Sequence, residues 1–194
     1  MKNMNKIKIL AIVGAVREES RTRKLAQISK KYFRADDVEY MVFDLRENPL
    51  PMYDAKVSLN NANVQLLLKL TVEADGLVFI SPEYHGSMSG ALKNALDWMD
   101  FLEDIDFLHG KVVGIMGGGG SFGNSGATVQ IMMATRALHA WLMPDVIVNV
   151  PKIRKALGDD DLMEEMYRTR MSKFANNLIK YTKMFKENRE VFNI

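Results

Sequence analysis

The chain has 194 residues, of which 47% are hydrophobic and 26% charged, so it can fill one core and leaves little room for a second domain. We therefore expect one domain over residues 1–194. A formal net charge of +2 disfavours a nucleic-acid or membrane partner, and the absence of cysteine excludes disulfides, thiolate metal sites and a cysteine nucleophile. The first apolar run is too short for a signal sequence or a membrane span, so we expect the protein in the cytoplasm.

Apolar runs and helical patterns alternate along the chain. The predicted strands cover residues 7–13, 38–45, 76–80, 111–116 and 145–150. The predicted helices cover residues 20–33, 64–74, 89–102, 126–142 and 162–186. Strict strand–helix alternation predicts an α/β fold, with a parallel sheet covered by helices on both faces. The connection over residues 46–63 is long and irregular, as functional loops often are.

The loop after the first strand carries groups that suit a phosphate monoester. Free amides at the start of the following helix, the hydroxyls of Ser20 and Thr22 and the guanidinium of Arg17 are all donors to an anion. The loop lacks the Gly-Lys-Ser/Thr of a Walker motif and the three-glycine dinucleotide fingerprint. The alternative interpretation is that Ser20 only caps the helix and that Arg17 is solvated.

The segment after the third strand is the most informative part of the chain. It reads SPEYHGSMSGALKNALDW over residues 81–98. Pro82 disfavours helix at Ser81, while Gly86 and Gly90 permit backbone geometries closed to other residues, so the chain turns at the carboxyl end of a strand. Ligands bind at that edge in open α/β sheets. As a whole, the segment resembles the signature of the NADPH-dependent FMN reductases, the flavodoxin-like family that includes azo-dye, quinone and chromate reductases.

This resemblance implies a flavodoxin-like three-layer sandwich, with a five-stranded parallel sheet of order 2-1-3-4-5 and, as in flavodoxin, FMN between strands one and three. The loop after strand one is similar to the family's Gly-Ser-x-Arg-x-x-Ser-x-Asn phosphate loop at Gly14, Arg17 and Ser20. Ala15 and Thr22 depart from that pattern, and only Thr22 keeps a hydroxyl. These departures leave open whether FMN is tightly bound or dissociates as a substrate.

In the family, the signature loop lies along the isoalloxazine edge and the ribityl chain, mostly through backbone groups. The resemblance therefore implies contacts from Pro82, Glu83, Tyr84, His85 and Gly86. His85 stands where the family commonly has Asn. No carboxylate or nucleophile is spaced to orient it, so we predict a ligand contact and not acid–base catalysis.

A third candidate loop is the glycine-rich run that follows the fourth strand. Such a run lets a backbone approach a flat ligand and aim amides at it. The family has a glycine-rich loop here that closes on the pyrimidine end of the flavin, which implies contacts from Gly117, Gly118 and Gly119. The alternative is a flexible loop with no ligand role. The chain's histidines lack the partner spacing of a metal site, so we expect no metal.

The helix after the signature is apolar over a wider arc than packing on a sheet requires, because Trp98, Phe101 and Ile105 extend its core face. Relatives in the family form homodimers, so we expect a homodimer and possibly a tetramer. The alternative is that residues 106–110 fold back over Trp98.

Together these features predict an FMN-dependent NAD(P)H oxidoreductase, with NADPH or NADH as the hydride donor. The electron acceptor would be a small molecule: a quinone, an azo compound, free flavin or a similar compound. The chemistry would occur at FMN N5 with no catalytic side chain, in a ping-pong sequence. The alternative from another class is an electron-carrying or redox-sensing flavoprotein, which the nearly balanced charge disfavours.

Overall fold

The computed structural model describes residues 6–54, 59–120, 123–145 and 147–191. The strands within these residues are Ile7–Val13 (β1), Val38–Asp44 (β2), Gly76–Tyr84 (β3), Ser87–Met88 (β4), Val112–Gly118 (β5), Trp141–Leu142 (β6) and Val148–Val150 (β7). The α-helices are Arg21–Ser29 (α1), Ala62–Glu73 (α2), Gly90–Asp97 (α3), Ser125–Ala137 (α4), Ile153–Ala156 (α5) and Glu165–Glu187 (α6). Two 3₁₀ segments, Lys30–Phe33 and Trp98–Ile105, continue α1 and α3.

The strands form one sheet in the spatial order β2-β1-β3-β5-β6, with parallel pairing along this path. This confirms the predicted flavodoxin-like order 2-1-3-4-5. The numbers differ only because the short β4 is counted but lies outside the parallel path. It pairs antiparallel with the end of β3. The register aligns Val13 with Ile80 and Ile80 with Met116, so the carboxyl ends of β1, β3 and β5 meet at one edge.

Apolar side chains cover both faces of the sheet and form two cores. On one face α1 and α6 pack against the sheet through residues such as Leu25 and Phe174. On the other face α2, α3 and α4 contribute Leu67, Leu92 and Ile131. The central strands are buried from both sides, which explains their continuous apolar sequences. None of the helices in the described residues is long and apolar enough to cross a membrane.

The end of α4 differs from the prediction of a helix over residues 126–142. His139 has φ of 59°, and the Ala140 amide donates to the Thr135 carbonyl, so the chain leaves the helix in a left-handed turn. Trp141 and Leu142 then form β6 instead of ending a helix. The predicted fifth strand over residues 145–150 is correspondingly wrong in its first part, because β6 and β7 share the place beside β5.

The chain itself covers Trp98 on the wide apolar face beside α3, while Ile105 on the same face stays half exposed. Trp98 is fully buried and donates its indole N–H to the Pro51 carbonyl at 2.9 Å, while the Tyr53 ring meets the indole edge-on at 5.4 Å. Asn94 fixes the same segment by accepting from the Tyr53 amide and donating to Pro51. Neither a second subunit nor residues 106–110 are needed to cover Trp98, so the homodimer stays a prediction without this support.

Candidate functional site

A cleft of about 660 Å³ opens at the edge where the strands end. That volume lies within the range of small-molecule sites. Its lining residues are Arg17, Glu19, Ser20, Arg21, Thr22, Pro82, Glu83, Tyr84, Gly118, Gly119, Gly120, Lys152, Ile153, Arg154 and Lys155. The cleft thus brings together the loop after β1, the end of β3, the end of β5 with the residues after it, and the segment after β7.

Eight of the twelve predicted cofactor-binding residues line this cleft. They are Arg17, Ser20, Thr22, Pro82, Glu83, Tyr84, Gly118 and Gly119. The other four, Gly14, His85, Gly86 and Gly117, lie outside its wall. The three predicted loops therefore converge on one site, while several of their residues have roles behind it.

The first wall is the phosphate loop, residues 14–22, at the start of α1. The Ser20 hydroxyl accepts from the Arg23 amide at 3.3 Å and so caps the helix, but its own O–H remains a donor. The amides of Arg21 and Thr22 belong to the first turn and have no acceptor within the helix. Arg17 lies over the Tyr84 ring with its guanidinium carbon 5.1 Å from the ring centroid. The residues that carry these hydroxyl, amide and guanidinium donors all line the cleft.

Two other arginines near this loop are occupied by carboxylates. Arg23 donates to Asp44 at 2.8 Å and to Glu47 at 2.7 Å. Burial opposes the charge of Arg23, yet these bonds raise the pKa of its guanidinium above the ordinary value. Arg46 donates to the Val16 carbonyl at 2.9 Å and so holds the loop from outside. These bonds hold both side chains in structural roles, whereas Arg17 extends into the cleft.

Gly14 supports the loop from behind. The Gly14 amide donates to the Ile80 carbonyl at 2.8 Å, and its carbonyl accepts from the Ser89 hydroxyl at 2.7 Å. A Cβ at residue 14 would lie 2.6 Å from the Ser89 oxygen and from the Leu92 Cβ. The glycine therefore permits close contact between the end of β1 and α3, and this contact fixes the loop relative to the signature segment.

The second wall is the end of β3, where the structure corrects the prediction of a loop. Pro82, Glu83 and Tyr84 continue the strand, and only His85 and Gly86 form the turn to β4. Both turn residues have positive φ, 53° and 77°. Outside glycine, Asn, Asp and His adopt this conformation most readily, which explains physically why Asn or His suits position 85. Neither turn residue is among the residues that line the cleft, and we assign His85 no proton-transfer role.

Glu83 has a structural function that its sequence position does not reveal. Its carboxylate accepts from the amides of Gly126 at 2.7 Å and Ala127 at 3.2 Å, in the first turn of α4. The negative charge lies at the positive end of the helix dipole. A Cβ at Gly126 would lie 2.1 Å from the Gly86 carbonyl, so the turn also packs tightly on α4. The hairpin is therefore held in place by α4.

The third wall is the glycine-rich segment, and its glycines face protein atoms. A Cβ at Gly117 would lie 2.3 Å from the Ser81 carbonyl, and one at Gly118 would lie 2.3 Å from the Ile153 side chain. A Cβ at Gly119 would lie 1.7 Å from the Gly123 carbonyl. Gly118 and Gly119 still present backbone to the cleft. Close packing within the chain therefore accounts for glycine at these positions, independent of any ligand.

The sequence analysis missed the fourth wall, formed by Lys152, Ile153, Arg154 and Lys155 directly after β7. A signal was present, because a cluster of cations follows the last predicted strand and the carboxyl ends of parallel strands share one edge. The cleft wall carries five cations, with Arg17 and Arg21 beside the three in this segment, against the carboxylates of Glu19 and Glu83. The cleft is therefore strongly cationic in a chain whose net charge is only +2.

This arrangement fits FMN. A phosphate monoester matches the donors of Arg17, Ser20 and the α1 amides, and the apolar surface of Tyr84 and Pro82 beside them suits a flat ring. The wall offers no nucleophile activated by a neighbouring base, so the protein's own groups can bind and orient a ligand. Among the described residues, no group of three His, Asp or Glu side chains could hold a metal ion.

Comparison with known proteins gives consistent matches. Residues 7–155 match the family model described as NADPH-dependent FMN reductase. The chain is similar to an FMN-dependent NADPH-azoreductase of Staphylococcus saprophyticus, with 33% identity over 91% of this chain and 96% of the relative. An enzyme of the same description from Staphylococcus aureus is 32% identical over 73% of this chain and 76% of its own length.

Solved structures show the same fold. FerB, a flavoenzyme NAD(P)H:(acceptor) oxidoreductase from Paracoccus denitrificans, superposes with a TM-score of 0.77 at 19% identity, covering 92% of this chain and 98% of FerB. RosB, solved with a bound flavin-derived intermediate, gives a TM-score of 0.75 at 17% identity, covering 94% of this chain and 81% of RosB.

Proposed function

Because the chain belongs to the NADPH-dependent FMN reductase family, we propose that it is an FMN-dependent NAD(P)H oxidoreductase that reduces azo compounds, quinones, free flavin or similar small acceptors by a ping-pong sequence. The observation that carries the proposal is the phosphate loop. Arg17, Ser20 and the first residues of α1 line the same cleft as Pro82 and Tyr84, which supports a phosphate anchor beside a site for a flat ring.

In this proposal the phosphate loop anchors FMN by its phosphate, and the end of β3 supports the ring. Bound FMN would supply the redox chemistry, taking hydride from the nicotinamide and passing two electrons to the acceptor. The Gly119 amide donates to the Val150 carbonyl at 3.2 Å, so negative charge on a bound ligand would be stabilised by cations of the cleft wall such as Arg17. No side chain needs to act as an acid or base.

We expect the ping-pong sequence because the hydride donor and the acceptor would both have to reach the same bound ring. The spent donor therefore leaves before the acceptor enters. Steady-state oxidation of NADPH, measured at several fixed concentrations of a quinone, tests this proposal. Parallel double-reciprocal lines are expected, and intersecting lines would contradict the ping-pong sequence. Absence of NADPH oxidation with FMN bound would instead favour an electron carrier.

The phosphate assignment has its own test. Arg17→Ala should weaken FMN binding by roughly 1.5 to 3 kcal/mol, because a charge-assisted hydrogen bond is lost. Titration of apoprotein, followed by quenching of flavin fluorescence, gives the affinity. Arg136→Ala, on the exposed side of α4, is the control and should leave FMN affinity unchanged. An unaltered affinity in the Arg17 variant would place the phosphate elsewhere.

A further inference from the structure

Three cations on the fourth wall of the cleft have no role in the proposed binding of FMN. We call Lys152, Arg154 and Lys155 the basic arm. All three side chains are exposed and line the cleft. Within the described residues, none of them forms an ion pair or a side-chain hydrogen bond. Their charge is therefore available to a ligand.

The backbone of the basic arm is fixed against the glycine-rich segment. The Lys152 amide donates to the Gly120 carbonyl at 2.7 Å, and the Ile153 amide donates to the Gly119 carbonyl at 3.2 Å. The Ile153 side chain is buried against Gly118. Lys152 itself has φ of 47°, a left-handed conformation that a lysine adopts only when its surroundings impose it. The cations thus stand on a rigid base.

Nearby carboxylates do not neutralise the basic arm. The acidic run at residues 159–161 follows it closely in sequence, but two of its carboxylates face α1. Asp159 pairs with Lys24 at 3.7 Å, and Asp161 pairs with Lys31 at 2.6 Å. Of the two acids on the cleft wall, Glu83 is bound by the amides of α4. Two carboxylates therefore oppose five cations on the cleft wall, and neither forms an ion pair with the basic arm.

We propose that the basic arm binds a phosphate or sulfonate group carried by a reactant that enters the cleft after FMN. FMN has one phosphate, and the phosphate loop already supplies its donors. A second cluster of cations on the wall of the same cleft therefore suits a second anion. The inference rests on the proposed function. Two reactants could carry the group: the hydride donor, through the 2′-phosphate that distinguishes NADPH from NADH, or an acceptor with a sulfonate.

The test uses FMN-loaded protein and the triple variant Lys152→Gln, Arg154→Gln, Lys155→Gln. Calorimetry measures binding of adenosine 2′,5′-bisphosphate, with adenosine 5′-monophosphate as the ligand without the 2′-phosphate. If the donor carries the group, the variant should bind the bisphosphate at least about tenfold more weakly and the monophosphate within about threefold, since each lost charge-assisted contact removes affinity. Addition of salt should weaken bisphosphate binding in the wild type more than in the variant.

A second arm of the experiment addresses the acceptor. Values of KM are compared for a sulfonated azo dye and a neutral quinone. If KM of the basic-arm variant exceeds that of the wild type for the sulfonated dye only, the anionic group belongs to the acceptor. The control is Arg136→Gln, Lys173→Gln, Lys180→Gln, which removes the same charge from exposed helix positions and should change neither arm. If the triple variant melts at a lower temperature than the wild type, the single variant Lys155→Gln replaces it in both measurements.

Two outcomes would overturn the inference. Equal losses in the basic-arm variant and the charge-matched control, or no loss for any anionic reactant, would mean that the basic arm recognises no particular group. A fall of about tenfold in FMN affinity would assign the basic arm to the FMN phosphate. The proposed function would survive either result, because it is tested by FMN binding and NADPH oxidation of the wild-type protein and fails if either is absent.

Discussion

The hairpin turn after β3 and the glycine-rich segment after β5 differ in the physical reason for their unusual residues. The hairpin turn at His85 and Gly86 needs positive φ, and a Cβ at Gly86 would meet open space. The glycine-rich segment beside it contains Gly119, whose φ is not positive and whose Cβ would collide with a carbonyl. Backbone conformation explains the glycine in the turn, and close packing explains the glycine in the glycine-rich segment. Mutation can separate these two physical causes.

The largest expected effect is at Gly119. Gly119→Ala should cost about 3 kcal/mol of unfolding free energy, because its Cβ would lie 1.7 Å from the Gly123 carbonyl and a backbone atom cannot move aside cheaply. Gly120→Ala is a matched control, since nothing lies within 4 Å of that Cβ. Urea unfolding gives both values. Equal stability of the two variants would mean that the segment relaxes and that packing does not explain its glycines.

A smaller loss is expected at Gly86. Gly86→Ala places a methyl group in open space but keeps φ near 77°. The left-handed conformation should therefore cost about 1 to 2 kcal/mol of unfolding free energy. Gly86→Asn should lose less, because asparagine adopts this conformation more readily. Thermal unfolding of the pair distinguishes the causes. Equal losses for Ala and Asn would indicate a steric cause here too.

Glu83 connects the hairpin to α4, and the loss of its charge should have a moderate effect. Glu83→Gln keeps an acceptor oxygen but removes the charge at the helix start, so we expect a loss of about 1 kcal/mol. Glu19→Gln removes a cleft carboxylate that caps no helix and should change stability by less than about 0.5 kcal/mol. If Glu83→Gln is equally neutral, the hairpin does not depend on this cap.

The smallest effect is expected at His85. His85→Asn should change stability by less than about 0.5 kcal/mol, since Asn tolerates φ of 53°. Reduction of the FMN-loaded protein by NADPH should stay within about tenfold of wild type, against the 10² to 10⁴ expected, roughly, for loss of a general acid or base. Stopped-flow absorbance measures it at matched FMN occupancy. A hundredfold loss would make His85 a proton donor.

His85→Val is the complementary variant at the same position. A β-branched residue is strained at positive φ, so about 1 to 2 kcal/mol of stability should be lost while the ring nitrogens are removed as in the Asn variant. If both variants retain the rate of reduction and only the Val variant loses stability, position 85 requires a residue that tolerates positive φ and does not require a ring nitrogen. If only the Val variant slows reduction, the turn positions the ring-supporting strand.

Much of the fold could be predicted because it depends on local patterns. Continuous apolar runs predicted β1 and β5, and Ser20 was recognised as the start of α1, because each signal lies within a few residues. Boundaries failed where tertiary contacts decide them. Residues 82–84 extend β3 because Pro82 lies beside Gly118 of β5, and Trp141 forms β6 because it pairs with Val112.

The sequence by itself determined the family, the strand order and most of the cleft residues, because a long motif and alternating patterns are properties of consecutive positions. Only the tertiary structure decided what covers Trp98, what Glu83 caps, and that the basic arm lines the same cleft as the phosphate loop. Each of these depends on contacts between segments far apart in the chain, such as Pro51 with Trp98 or Glu83 with Gly126. Such contacts are set by packing against the shared sheet, and spacing along the chain does not encode them.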